Sequence, residues 1–159
     1  MADMQKLFKK PGLIRFGMNI WPPFLFAGIR IIQLQKDYRY LKAELKHWRI
    51  NLNVNRSQFG GSIMSMTDPL YSILLIGALG EKYYVWDKFA DVNFIAPGYS
   101  CLSVEARLTD TDIQTIKTHT ANGEKYFPKF VLRVCDKKGQ IVAEVQRTLY
   151  VRLKPEFRP

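Results

Sequence analysis

A chain of 159 residues, 47% hydrophobic and 13% aromatic, has the size and content of one folded domain and excludes a disordered protein. Its formal net charge of +10 is uneven: residues 1–56 carry eleven Lys/Arg against Asp3, Asp37 and Glu44, a net +8, and the rest of the chain carries +2. Such an excess suits an anionic partner, whether a phosphorylated ligand, a nucleic acid or an acidic membrane surface, and it suits equally a solvated face kept for solubility.

Residues 1–18 are basic and punctuated by Gly and Pro, and read as an N-terminal arm; residues 19–159, without repeat or linker, read as a single domain. The apolar run Ile20 to Ile32 is broken by Pro22, Pro23 and Arg30, so it fits neither a cleavable signal nor a membrane span, and the chain is expected in the cytoplasm with no transmembrane segment. From Phe24, the positions Leu25, Ile29, Ile32 and Leu34 fit a short amphipathic helix entered through Pro22-Pro23, read as a packing helix on the domain's flank in preference to a membrane anchor. Leu41, Ala43 and Leu45 alternate with charged residues as in a strand. The parity then switches to Trp48, Ile50 and Leu52, as a bulge near Lys46–His47 would cause.

Asn53 to Pro69 carries the chemistry. A polar strand end leads to Gly60-Gly61 and then to the longest apolar helix, Ser62 to Leu79, closed by Gly80. The two glycines admit a ligand close to the backbone, and the unpaired N–H groups at the helix start can hold a developing oxyanion. Asp68 supplies a base or nucleophile. Pro69 removes one helix hydrogen bond and predicts either a fresh helix start at Thr67 or a bend just beyond Asp68. The plainer readings are a tight turn at Gly60-Gly61 and a helix cap at Asp68.

Spacing adds a constraint. Eight residues along one helix separate Gly60 and Asp68 by roughly 12 Å, too far for both to reach one reacting carbon. Two antiparallel copies of the segment would bring an amide end and a carboxylate together, so the site is expected at a dimer interface.

Strands follow at Tyr84–Ile95 and Leu102–Leu108. Thr111-Asp-Ile-Gln114 reads as a capping box opening a short helix that stops at Asn122-Gly123, and a hairpin at Asp136–Gly139 joins strands Phe127–Cys135 and Ile141–Leu153. The order predicts an α+β domain in which one antiparallel sheet wraps a central helix. Cys101 and Cys135 lack a CxxC pairing and read as free thiols. His47 and His119, the only histidines, have no ligand spacing, so no metal site is expected, and there is no Gly-x-Ser-x-Gly elbow or phosphate-binding loop.

At these residues the chain resembles hotdog-fold acyl-CoA thioesterases. Phe59-Gly-Gly61 stands where the phenylacetyl-CoA type carries His-Gly-Gly, with Asn53 six positions before Phe59 and Asp68 nine positions after it. Phe-Gly-Gly-Ser62, Met-Thr-Asp-Pro69, Val85-Trp-Asp-Lys88 and Thr148-Leu-Tyr-Val-Arg152 resemble a little-characterised hotdog group described as thioesterase-like and tetrameric, over residues 19–154. The resemblance implies a hotdog fold with an extra N-terminal helix, a homodimer or homotetramer, and a cofactor-free and metal-free hydrolase acting on acyl-CoA. In it, Gly60 and Gly61 bind the carbonyl oxygen, Asp68 of the partner chain acts as base or nucleophile, and Asn53 orients water or carbonyl. Phe59, Ser62 and Met64 line the substrate, and Arg56 and Lys88 are candidates for CoA phosphate contacts. Phe59 is the departure from the motif, and it speaks against a hotdog dehydratase, which needs a histidine there. It also supports the alternative of a non-catalytic acyl-CoA or lipid binder. Nucleic-acid binding through the basic first third is disfavoured, because Tyr38, Tyr40 and Trp48 fit a sheet better than a stacking platform.

Overall fold

In the computed structural model, which describes residues 7–159, six antiparallel strands form one sheet. They are β1 Ile29–Leu34, β2 Tyr40–Leu45, β3 Tyr83–Phe94, β4 Leu102–Arg107, β5 Lys129–Cys135 and β6 Ile141–Leu153, in the spatial order β1-β2-β4-β5-β6-β3. The helices are α1 Pro11–Ile20, α2 Pro22–Ala27, α3 Gly60–Thr67, α4 Leu70–Leu79 and α5 Asp110–Thr120. Part of the expected arm, residues 1–6, lies outside the described residues, and the rest of it includes α1.

Alternation along the strands sends Leu102, Val104 and Ala106 of β4 and Ala143, Val145, Leu149 and Val151 of β6 to one face, all buried. Against that face lies the apolar run Gly60–Leu79, whose Ile63, Met66, Leu70, Leu74 and Leu75 are buried among the strand residues. This run is 20 residues long and holds an 18-residue stretch with a mean hydropathy of 1.4, long and apolar enough to cross a bilayer, but 56% of that stretch is buried inside the domain, the position of a core helix. A sheet wrapped on a central helix, with helical residues added at the N-terminus, is the expected hotdog fold.

The central run is broken where Pro69 takes away an amide. Asp68 follows α3 as its C-cap and Pro69 precedes α4 as its N-cap, both in right-handed helical conformation, so the run is interrupted without leaving helical backbone.

Three local expectations are corrected. Ile29, Ile32 and Leu34 belong to β1, not to a helix: Gly28, at φ 74°, ends α2 in the left-handed region, and Ile29 and Ile31 then alternate into the core as β-branched strand residues. Trp48, Ile50 and Leu52 do not extend β2. Leu45 is the last residue paired to both Ile29 and Leu102, and beyond it Arg49–Asn51 turns as a 3-10 helix. The capping box sits two residues earlier than predicted, with Thr109 as N-cap and the Asp112 carboxylate accepting the Thr109 N–H at 2.8 Å, which turns Ile113 and Ile116 inward.

The two edges of the sheet are treated differently. At β1, Asn19 of α1 accepts the Ile31 N–H at 2.7 Å and donates to the Ile31 carbonyl at 3.1 Å, while Arg15 donates to the Ile32 carbonyl at 3.0 Å. These bonds fall at the bulge between Ile31 and Gln33 and cap the edge with helix. At β3 no further strand pairs among the described residues. Asn19→Ala should therefore lower the unfolding free energy by about 1–3 kcal/mol, because Ile31 loses both partners at once; urea denaturation compared with wild type reads the difference.

Candidate functional site

The loop before α3 is organised by Asn53. Its Oδ1 accepts the N–H groups of Asn55 at 2.9 Å and Ser57 at 3.1 Å, and its Nδ2 donates to Ser57 Oγ at 2.8 Å. Gln58 is buried and fastens the loop's end, donating its backbone N–H to the Gly98 carbonyl at 2.8 Å and its side-chain amide to the Ser100 carbonyl at 3.0 Å. Phe59 then enters α3 as an N-cap with no side-chain hydrogen bond, and the N–H groups of Gly60 and Gly61 donate to no acceptor among the described residues. Two free amides at a helix start form a donor pair suited to a negative oxygen. Both glycines pack closely under aromatic rings: a Cβ on Gly61 would stand 2.4 Å from the exposed Phe59 ring and would displace it, and one on Gly60 would stand 3.0 Å from the Phe94 ring. A cleft of about 370 Å³ opens here, lined by Asn53, Gly60, Ile63, Phe94 and Pro97 among others. Ser62 is buried, with its hydroxyl turned to Asn51 Oδ1 at 2.8 Å, and the exposed Arg56 occupies a left-handed turn at φ 60°.

Asp68 lies at the other end of α3, in a second cleft of about 300 Å³ lined by Trp21, Pro23, Phe24, Met64, Ser65, Asp68, Pro69 and Arg147. The two clefts share no lining residue. Asp68 Oδ1 accepts from Arg147 Nη1 at 2.8 Å, while Oδ2 accepts nothing among the described residues; the Asp68 side chain is 61% exposed and that of Arg147 only 5%. Arg147 Nη2 also donates to the Met64 carbonyl and to Thr67 Oγ1, each at 3.1 Å. The guanidinium thus caps the carbonyl end of α3, where a cation is favoured, and fixes the carboxylate beside it.

Sequence reasoning missed Arg147, Thr67, Asp87 and Ser72. The signal for Arg147 was present: it falls in the inward parity of Ala143, Val145, Leu149 and Val151, a core position that a charge occupies only with partners. Asp87 on β3 stands 3.8 Å from Arg147 Nη1 and accepts the Ser72 hydroxyl at 2.6 Å. Burial pushes the Asp87 carboxyl above the ordinary carboxylate value, partly offset by Ser72 and Arg147 and reinforced by Asp68. Lys88, at the β3 bulge, holds its ammonium 3.9 Å from the centre of the Phe127 ring. Of the predicted residues, the structure brings Asn53 and Gly60 to one cleft, Met64 and Asp68 to the other, and leaves Phe59, Arg56 and Lys88 on the surface. No His, Cys, Asp and Glu cluster able to hold a metal occurs among the described residues.

The family described as a domain of unknown function (DUF4442) matches residues 12–151, which include both clefts and all of the sheet except the last two residues of β6. The chain belongs to the DUF4442 family. Solved structures show the same fold at low identity. A Pseudomonas aeruginosa protein of unknown function, named as a probable thioesterase, is 21% identical with a TM-score of 0.82, the alignment covering 90% of this chain and 95% of that one. A Haemophilus influenzae thioesterase is 12% identical with a TM-score of 0.68, covering 91% of each chain. The E. coli PaaI protein of the phenylacetic acid degradation operon is 13% identical with a TM-score of 0.65, covering 94% and 96%. No protein with a curated description matches. This DUF4442 member therefore shares the hotdog fold of these solved proteins.

The raised Asp87 carboxyl has a signed consequence. Between its ordinary value of 3.8 and its higher folded value, the native state binds more protons than the unfolded chain, so stability falls as pH rises through that window and the loss is complete above it. Asp87→Asn removes the titration. Its stability relative to wild type should rise with pH across the window and then level off, as read by urea unfolding at a series of pH values.

Proposed function

We propose that this DUF4442 protein hydrolyses acyl-CoA thioesters to free acid and CoA, at sites that each combine the amide end of α3 in one copy with Asp68 of a second. The observation that carries the reading is the presence on one helix of two free glycine amides and of a carboxylate whose Oδ2 is open, in clefts with no residue in common. The eight intervening residues correspond to roughly 12 Å, so neither cleft alone has both donor and base. The uncovered β3 edge favours a second copy. Phe89 and Phe94 on that strand are 58% and 52% exposed, and an unprotected apolar edge invites pairing.

In this mechanism the thioester oxygen lies against the Gly60 and Gly61 amides, which bind it more strongly as negative charge develops. Asp68 Oδ2 takes a proton from an attacking water, or attacks the carbonyl carbon itself and is released by water in a second step. The carbon–sulfur bond breaks, and CoA leaves as thiolate and is then protonated. Asn53, beside Gly60, orients the water or the carbonyl; Phe59 and Met64 line the substrate, whereas Ser62, buried with its hydroxyl on Asn51, supports the loop from behind; Arg56 and Lys88 meet the CoA phosphates, for which the net charge of +10 is suited. The reaction as written uses neither metal nor cofactor. The free thiols Cys101 and Cys135 suit a reducing compartment such as the cytoplasm.

A second reading is a non-catalytic acyl-CoA or lipid carrier. Its observation is the exposed, apolar Phe59 at the N-cap, where the related motif has a histidine. A thiol-release assay over short, medium, long and aryl acyl-CoAs separates the two, since a carrier retains the thioester without releasing thiol.

Two results would test the assignment of residues. Asp68→Asn should lower kcat by about 100- to 10,000-fold, the usual contribution of a positioned base, while circular dichroism and assembly stay as in wild type; wild-type turnover would remove Asp68 from the chemistry. Separately, chains carrying Asp68→Asn should regain activity when mixed with Gly61→Val chains, in which the new side chain collides with the Phe59 ring. A mixed dimer has one site with both lesions and one with neither. Persistent inactivity in hetero-dimers shown to form, or full activity in an isolated monomer, would refute the shared site.

A further inference from the structure

We infer that α1 and α2 form a surface that lies on an anionic membrane. One side of α1 is committed to the domain: Ile14 and Met18 pack on the core, and Asn19 and Arg15 bond to β1. Its other side presents Leu13, Phe16 and Ile20, spaced as one helical stripe and all exposed. The stripe continues into α2, where Trp21 at its entrance and Phe26 near its end are also exposed. Phe16 is 61% exposed and Phe26 72%, large values for aromatic rings on one contiguous segment.

Charge identifies what covers this surface. From Met4 to Lys36 the sequence has six Lys/Arg and no Asp or Glu; Lys9 and Lys10, immediately before α1, and Arg30, two residues beyond Gly28 at the end of α2, are exposed. Aromatic and aliphatic side chains flanked along the chain by cations match the boundary between acyl chains and anionic headgroups. A second copy meeting this face about a two-fold axis would set the same positive charges against themselves, whereas anionic lipid neutralises them. α1 and α2, of ten and six residues, extend roughly 15 and 9 Å, so they lie along the surface and do not span a bilayer core of about 30 Å. The same segment gives Trp21, Pro23 and Phe24 to the wall of the Asp68 cleft, so the membrane-facing surface and that cleft share a wall.

The test is flotation of the full chain with vesicles of phosphatidylcholine alone and of phosphatidylcholine with about one third phosphatidylglycerol. The chain should float with the anionic vesicles, far less with the neutral ones, and progressively less as salt is raised. Lys9→Ala with Lys10→Ala should weaken binding by roughly 25-fold, and Phe16→Ser with Phe26→Ser by at least about tenfold per ring. Circular dichroism and melting establish that the variants are folded; the lysine pair, being exposed, keeps the test intact if the phenylalanine pair unfolds. Absence of binding to anionic vesicles, or equal binding to both kinds, would overturn the inference. So would a fall in particle mass by light scattering in Phe16→Ser/Phe26→Ser with vesicle binding unchanged, because a second copy would then be the occupant. The vesicle measurement does not depend on turnover, so it stands or falls apart from the thioesterase reading.

Discussion

A guanidinium placed inside the sheet–helix interface is the constraint from which the rest of this architecture follows. Burying Arg147 is costly unless its charge and donors are met; the buried Nε has no partner among the described residues, while Nη1 and Nη2 are met at one place, the Pro69 break in the central helix. There Pro69 has removed a hydrogen bond, Met64 offers its carbonyl, Thr67 its hydroxyl and Asp68 its carboxylate. The break supplies acceptors for the arginine, and the arginine makes the break a single defined geometry. Asp87 brings β3 into the same network through Ser72 of α4 and through its proximity to Arg147. Helix, sheet and the orientation of the exposed carboxylate are therefore set together.

How much of this was legible depended on whether a signal was local. The alternations at Leu102–Leu108 and Ile141–Leu153 gave β4 and β6 directly, because one face of each is buried and the period is unambiguous. The stretch from Phe24 to Leu34 misled because its apolar residues satisfy both helical and strand spacing, and only the left-handed Gly28 divides them. The interruption was legible in Pro69, although the partner that caps it, Arg147, lies 78 residues later. The approximate distance from Gly60 to Asp68 followed from helix rise alone. The arginine partner did not, since pairing a charge with its counter-charge across a fold requires the fold. Its parity within β6 was the one sequence mark that it faced inward.

The two edges of the sheet show how one domain can limit and direct its own association. On β1, Asn19 imitates a neighbouring strand by bonding both backbone groups of Ile31, so that edge is closed by the chain itself. On β3 nothing comparable occurs among the described residues, and exposed aromatic residues accompany the open edge. Strand addition is thus obstructed on one side and left available on the other.

The eight-residue spacing from Gly60 to Asp68 also works as a ruler that tolerates no change of length. Each residue inserted or deleted within α3 would turn everything beyond it by about 100° about the helix axis and shift it by about 1.5 Å. Asp68 would swing away from Arg147, Pro69 would move the break to another face, and the apolar side of α4 would no longer meet the strands. Substitutions along α3 can be absorbed one side chain at a time, but an insertion or deletion there would disturb the amide end, the carboxylate and the core in one event.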